Sequence, residues 1–156
     1  MRNVAKRIRV IYTPRNPLER LWSHTRFHLA FAGAFAQLSE WEEVDFRRFL
    51  DLPEINRHGR YAYVLATLAQ NFDQGDYHVV IFEDIETSLG SLLARIEAFL
   101  GISPGIYNPL SLAEHHNVGA VKPMPKAFAD AAKPMVDMEL GALDARGFSI
   151  PLAWRM

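Results

Sequence analysis

The sequence contains no cysteine. It can therefore form no disulfide, no thiolate nucleophile and no cysteine-ligated zinc or iron–sulfur site, and we expect a reducing, cytoplasmic compartment. Long apolar runs are also missing. The longest, residues 29–36, falls far short of the roughly 20 residues of a membrane-spanning helix. Residues 1–9 alternate basic and apolar side chains and form no secretory apolar block. We therefore expect no membrane segment.

The remaining composition is that of a folded domain. Of the 156 residues, 49% are hydrophobic and 22% are charged. A chain of this size buries roughly 68–70% of the surface that its unfolded form exposes, so it needs no metal or disulfide to hold a core. We predict one domain over residues 1–156.

Charge is nearly balanced overall and uneven along the chain. The formal net charge is −1, yet residues 1–28 carry seven basic side chains against the single acid Glu19, a local net of +6. Such a block on a near-neutral protein favours a local anion site over a nucleic-acid surface, which usually needs a basic domain. We expect no nucleic-acid partner; a solvated basic terminus is the alternative.

The apolar pattern alternates strands with helices. β-branched and apolar runs predict strands, three- and four-residue apolar spacing predicts helices, and the order predicts an α/β domain. Prolines and glycines without a sustained period predict a long loop. The predicted elements are strands at 8–12 and 78–82, helices at 17–36, 42–51, 59–72, 88–100 and 126–146, and a loop at 102–125. We expect Pro17 at the first position of the first helix, Pro53 to end the second and Gly101 to end the fourth. Pro134 is placed to break the last helix or to begin a second piece of it.

The junction between the first strand and the first helix carries the most chemical information. A strand that turns directly into a helix places backbone N–H groups and the positive end of the helix dipole at one point, which favours a phosphate or sulfate. Arg15 lies in this turn and offers a planar fork for phosphate oxygens, and Ser23 offers a hydroxyl. The alternative is that Arg15 forms an ion pair with Glu19 or Glu83.

These residues also resemble a known family. Residues 15–24 closely resemble the 3′-phosphate-binding motif of the sulfotransferases that use 3′-phosphoadenosine 5′-phosphosulfate (PAPS), in which an Arg and a Ser at this spacing bind the 3′-phosphate. Further matches follow in order over nearly the whole chain. They are Gly59-Arg60-Tyr61, Val79-Val80-Ile81-Phe82-Glu83-Asp84, Phe99-Leu100-Gly101-Ile102 and Leu152-Ala153-Trp154.

The resemblance implies a P-loop-NTPase-like sulfotransferase fold with a few parallel strands flanked by helices. It implies a PAPS-dependent sulfotransferase that transfers the sulfuryl group to a hydroxyl or amine acceptor, with PAPS as donor and no metal. It assigns Arg15 and Ser23 to the nucleotide. Lys122 lies where many members carry a late basic loop over the nucleotide, and it is a third candidate; a plain surface lysine is the alternative.

The chain also departs from the family pattern. No Gly-x-x-Gly-Lys-Thr-like or Lys-x-Gly-Thr-Thr stretch, the family's 5′-phosphosulfate loop, occurs in the sequence. We therefore expect an N-terminally truncated domain with an unknown catalytic base, and little or no transfer by the chain alone. A partner chain or a homo-oligomer would complete the sheet. The alternatives are a non-catalytic nucleotide-binding or interaction module and a generic α/β scaffold.

Histidines supply weaker signals. His24 and His28 are four residues apart, the helical spacing of paired metal ligands, but no third ligand is near in sequence, so we expect no metal there. His115 and His116 fall in the long loop, and one of them is a hypothetical base near an acceptor.

Overall fold

The computed structural model describes residues 7–108, 112 and 123–155. Within them the chain is a mixed α/β protein, mostly helical, with a two-stranded parallel sheet. No helix among these residues is both long and apolar enough to cross a membrane. The elements are β1 (Val10–Tyr12), α1 (Pro17–Phe31), a 3-10 turn (Phe35–Ser39), α2 (Glu43–Leu50), α3 (Pro53–His58), α4 (Tyr61–Asn71), β2 (Tyr77–Val79), α5 (Asp84–Thr87), α6 (Leu89–Leu100), α7 (Lys126–Asp144) and a 3-10 turn (Leu152–Trp154).

The chain divides into two compact units. The first contains the described residues of Met1–Pro14 and Leu68–Lys122, and it holds the sheet. β1 and β2 run parallel, with Val10 opposite Tyr77 and Tyr12 opposite Val79, which confirms the predicted parallel pairing.

Helix α6 packs against this sheet through an aromatic contact. The imidazole of His78 on β2 stacks on Phe99 with ring centroids 5.2 Å apart. Arg9 lies over the same Phe99 ring, with its guanidinium carbon 5.7 Å from the ring centroid. Gly101 ends α6 in the left-handed region with φ 66°, as the sequence predicts, because glycine has no Cβ to oppose that conformation.

The second unit contains Arg15–Thr67 and the described residues of Pro123–Met156. Its core forms where α1, α2 and α7 meet. Phe46 on α2 is fully buried and stacks on Phe128 of α7, with ring centroids 4.6 Å apart and planes 6° from parallel. Ile55 on α3 and Leu143 on α7 are each 1% exposed, so all these helices bury an apolar face.

Several predicted boundaries are wrong for local reasons. The second strand ends at Val79 rather than at residue 82, although Phe82 still donates its N–H to the Pro14 carbonyl at 2.9 Å. β1 has only three residues, so residues 80–82 have no neighbouring strand residues with which to continue the regular pairing. Helix α1 ends at Phe31 rather than near residue 36, and Gly33 then takes φ 69° in the turn that follows.

Two prolines also act differently from the prediction. Pro53 starts the separate helix α3 at its first position, where a missing N–H costs nothing, so the predicted helix at 59–72 is preceded by a further one. Pro134 lies inside α7, and the helix is continuous through it to Asp144. Gly147, just beyond that helix, has φ 73°.

Candidate functional site

The N-terminal end of α1 is capped by Asn16. Its side-chain oxygen accepts hydrogen bonds from the N–H groups of Leu18 at 3.0 Å and Glu19 at 3.3 Å. Pro17 has no N–H, and the Arg20 N–H donates to the Asn16 carbonyl at 2.9 Å. The first-turn amides, which the sequence argument offered to an anion, are therefore already bonded. Binding of an anion at this helix end would therefore depend on side chains and on the helix dipole.

Arg15 directly precedes this cap and forms an ion pair. Its Nη2 donates to Oε2 of Glu19 at 3.0 Å, with the two side chains 31% and 58% exposed. This pairing is one of the alternatives that the sequence offered for Arg15. Because the Glu19 side chain is 58% exposed, this ion pair is screened by solvent and costs little to break.

Ser23 lies on α1, half-buried, four residues beyond Glu19. Residues four apart share a helical face and are about 6 Å apart along the axis. Glu19 and Ser23 therefore share one face of α1, and Arg15, which precedes the helix, reaches that face through its ion pair with Glu19. Arg26, one further turn along, lies over the Trp22 ring at 5.9 Å from its centroid and adds a positive charge to this side of the helix.

The end of the chain packs beside the same cap. The Asn16 side-chain amide donates to the carbonyl of Ala153 at 3.1 Å. Trp154, which is 2% exposed, packs against Tyr61 with ring centroids 6.2 Å apart. Three segments that are far apart in sequence, around Arg15, Tyr61 and Trp154, thus converge at the N-terminus of α1.

A histidine cluster lies further along α1. His24 is 6.2 Å from His28 and 4.8 Å from His58 of α3, measured between ring centroids. Burial, and then the positive charges of Arg20 and the two neighbouring imidazoles, lower the pKa of His24. The sequence spacing found the first two histidines and missed His58, because α3 had not been predicted. Among the described residues, no group of three His, Asp or Glu side chains is arranged to hold a metal ion.

A buried acid lies in the first unit, and sequence analysis missed it. Glu97 on α6 accepts hydrogen bonds from the Tyr107 hydroxyl at 2.5 Å and the Gly105 N–H at 2.6 Å. The Tyr107 hydrogen bond, followed by that of Gly105, lowers the pKa of Glu97. With both donors directed at one oxygen, the carboxylate anchors the chain that follows α6. Lys122, His115 and His116 lie outside the described residues.

No protein-family model and no curated protein matches the sequence. Among solved structures, the chain is similar to a sulfotransferase from Alicyclobacillus acidocaldarius, with 18% sequence identity and a TM-score of 0.57. The match covers 95% of this chain and 57% of that one, so the chain spans less than two thirds of its neighbour's length. At this identity the likeness establishes a sulfotransferase-like fold.

Proposed function

We propose that this chain is a sulfotransferase domain that binds the 3′-phosphoadenosine part of PAPS at the N-terminus of α1. The observation that carries the proposal is the convergence described above: the three segments that resemble sulfotransferase motifs, around Arg15, Tyr61 and Trp154, meet at one helix end in a chain with a sulfotransferase-like fold.

The side chains present suit a phosphate. Arg15 supplies a guanidinium that already binds the Glu19 carboxylate, and Ser23 supplies a hydroxyl four residues beyond Glu19 on α1. The dipole of the 15-residue helix α1 adds a positive potential at its start. Glu19 opposes binding, so the nucleotide has to displace this carboxylate from Arg15. Lys122 is a third proposed contact.

In a complete enzyme, PAPS supplies a sulfuryl group whose sulfur bonds to an acceptor oxygen or nitrogen while its bond to the 5′-phosphate oxygen breaks. 3′-Phosphoadenosine 5′-phosphate leaves, and the acceptor's proton passes to a base that the sequence does not identify. In this chain, Arg15 and Ser23 would hold the far end of the nucleotide and so orient it. The 156 residues contain no glycine- and lysine-rich phosphate loop. We propose that such a loop comes from a partner chain of different sequence or from a segment outside these residues.

A second candidate function follows from the same observation. With no phosphate loop in the sequence, the chain would bind the nucleotide without transferring its sulfuryl group. Both functions require the α1 site, and they differ only in turnover.

Calorimetric titration with 3′-phosphoadenosine 5′-phosphate tests the site. We expect micromolar binding that is lost in Arg15→Ala. The matched control is Arg47→Ala, which removes another arginine from an exposed i,i+4 ion pair, with Glu43 at 2.7 Å. Absence of binding at millimolar nucleotide contradicts both functions. Transfer of labelled sulfuryl from PAPS then separates them: we expect little or none from the chain alone, and turnover by the lone chain would show that it needs no added loop.

A further inference from the structure

A groove of about 430 Å³ lies within the second unit, beside the N-terminal end of α1, where Pro17 and Arg20 line it. Its walls are the first turn of α1, the segment from α3 to the start of α4, and one face of α7. This volume is within the usual range for sites that bind small molecules, about 300–1,000 Å³. Neither Arg15 nor Ser23 lines it, so the groove is separate from the proposed phosphate ligands.

The floor of the groove is apolar and well packed. Leu21, Ile55 and Val136 line it, and they are 3%, 1% and 8% exposed. These side chains belong to three different helices, so the floor is a fixed part of the core rather than a surface loop. It gives the apolar part of a ligand a preformed surface to pack against.

The rim of the groove is basic. Arg20, Arg60 and Arg146 line it, and in the described part of the chain none of them has a carboxylate within 4.0 Å. Arg47 and Arg95, by contrast, form ion pairs, whereas Arg9 and Arg57 also have no carboxylate within 4.0 Å among the described residues. The groove therefore brings three guanidinium groups without a carboxylate partner to one apolar floor.

The acid on the groove wall does not neutralise these arginines. Glu139 directs Oε1 at the N–H of Ala62, at 2.6 Å, in the first turn of α4. The Arg60 guanidinium donates through Nε and Nη2 to the neutral side-chain oxygen of Asn56, both at 3.3 Å. The described lining therefore keeps a net positive charge, with one guanidinium oriented by a neutral amide.

We propose that this groove binds a small amphipathic anion, with its apolar body on the Leu21 and Val136 floor and its anionic group on the arginine rim. A carboxylate, sulfate or phosphate matches the guanidinium fork, and an apolar body matches the apolar floor. A groove of about 430 Å³ accommodates a one- or two-ring aromatic or a short aliphatic chain. The inference goes beyond the proposed nucleotide site and does not depend on it.

Equilibrium dialysis with 2-naphthoate tests the proposal on the full chain. The neutral isostere 2-naphthamide has the same apolar body without the charge, and acetate has the charge without the body. We expect 2-naphthoate to bind at least about tenfold more tightly than either, because only it engages both parts of the groove. Equal binding of 2-naphthoate and 2-naphthamide would overturn the proposal, because the arginines would then play no part.

Two variants and a matched control identify the site. Arg20→Gln and Arg146→Gln should each weaken 2-naphthoate binding about fivefold or more, since each removes a charge-assisted contact. Arg146 is exposed, so its replacement leaves the core intact. Arg57→Gln is the control, because Arg57 is an exposed arginine of α3 that does not line the groove. An equal loss in Arg57→Gln would mean binding by general surface charge and would overturn the assignment.

Competition separates this groove from the nucleotide site. Saturating 3′-phosphoadenosine 5′-phosphate should leave 2-naphthoate binding unchanged, and Arg15→Ala should leave it unchanged too. If the nucleotide displaces 2-naphthoate and Arg15→Ala abolishes its binding, the probe occupies the nucleotide site and the groove proposal is wrong. Loss of nucleotide binding alone would contradict the proposed function and leave the groove proposal standing.

Discussion

Replacing Glu19 with glutamine should tighten nucleotide binding. Glu19 holds the Arg15 guanidinium at 3.0 Å and lies on α1 between Arg15 and Ser23. A 3′-phosphate that binds these two residues has to break that ion pair and accept the carboxylate as a neighbour. Glu19→Gln removes both penalties while keeping the length of the side chain, so a surface substitution is expected to improve affinity.

Two contributions set the size of the effect. An exposed i,i+4 ion pair contributes about 0.3–0.5 kcal/mol, and the variant no longer has to break it. With contacts of about 3 Å on either side of the guanidinium, the phosphate and the carboxylate would be about 7 Å apart. Repulsion between charges of −2 and −1 at that distance is about 1.2 kcal/mol in water, and salt near 0.15 M reduces it to about 0.5 kcal/mol. The sum of about 0.8–1.0 kcal/mol corresponds to roughly four- to fivefold tighter binding.

Calorimetric titration of 3′-phosphoadenosine 5′-phosphate into the wild type and Glu19→Gln measures this change. The control is Glu43→Gln, which breaks the comparable exposed i,i+4 pair with Arg47 at the start of α2. We expect unchanged affinity in the control. A higher salt concentration should shrink the gain, because screening weakens the repulsion. Weaker binding in Glu19→Gln, or a gain of the same size in Glu43→Gln, would refute the phosphate site on this face of α1.

Three further predictions concern stability. Asn16→Ala removes the α1 cap and the hydrogen bond to Ala153, which should cost about 2 kcal/mol and lower the Tm by about 4–8 °C in a thermal melt; an unchanged Tm would contradict the capping role. Phe46→Ala should cost about 3–5 kcal/mol in urea unfolding, because Phe46 is fully buried against Phe128, and a cost below 1 kcal/mol would contradict that packing. His24 has a pKa below its ordinary 6.5 in the folded state, so its contribution to stability is complete above about pH 6.5 and is lost as the pH falls through the lower folded pKa. His24→Gln should flatten this part of the plot of unfolding free energy against pH. A plot that is the same in His24→Gln and the wild type would contradict this cause.

The sequence predicted elements well where one residue fixes the local geometry. Pro17 at the first position of α1 and Gly101 after α6 both act as expected, because each acts through its own backbone. Prediction failed where long-range packing determines the local structure. The helix interior accommodates Pro134, and a helix starts at Pro53, where the pattern indicated only an end.

The same difference between local and long-range contacts applies to the candidate site. Arg15 and its alternative partner Glu19 could be named from the sequence, because an i,i+4 pair is local. The contact of Asn16 with Ala153 could not, because it joins residues 137 positions apart. The bonding of the first-turn amides to Asn16 was also missed, although an Asn directly before Pro17 is a common capping arrangement. The Asn16 side chain therefore takes the helix-end amides that an anion would otherwise bind.

The central claim is that Arg15 and Ser23 bind the 3′-phosphate of the nucleotide. The most direct test compares the Kd of 3′-phosphoadenosine 5′-phosphate with that of adenosine 5′-phosphate, which lacks only that phosphate, in the wild type, Arg15→Ala, Ser23→Ala and Arg47→Ala. We predict that the wild type and Arg47→Ala prefer the 3′-phosphorylated nucleotide by about tenfold or more, and that Arg15→Ala and Ser23→Ala lose most of this preference. A preference that survives in Arg15→Ala, or none in the wild type, would contradict the claim.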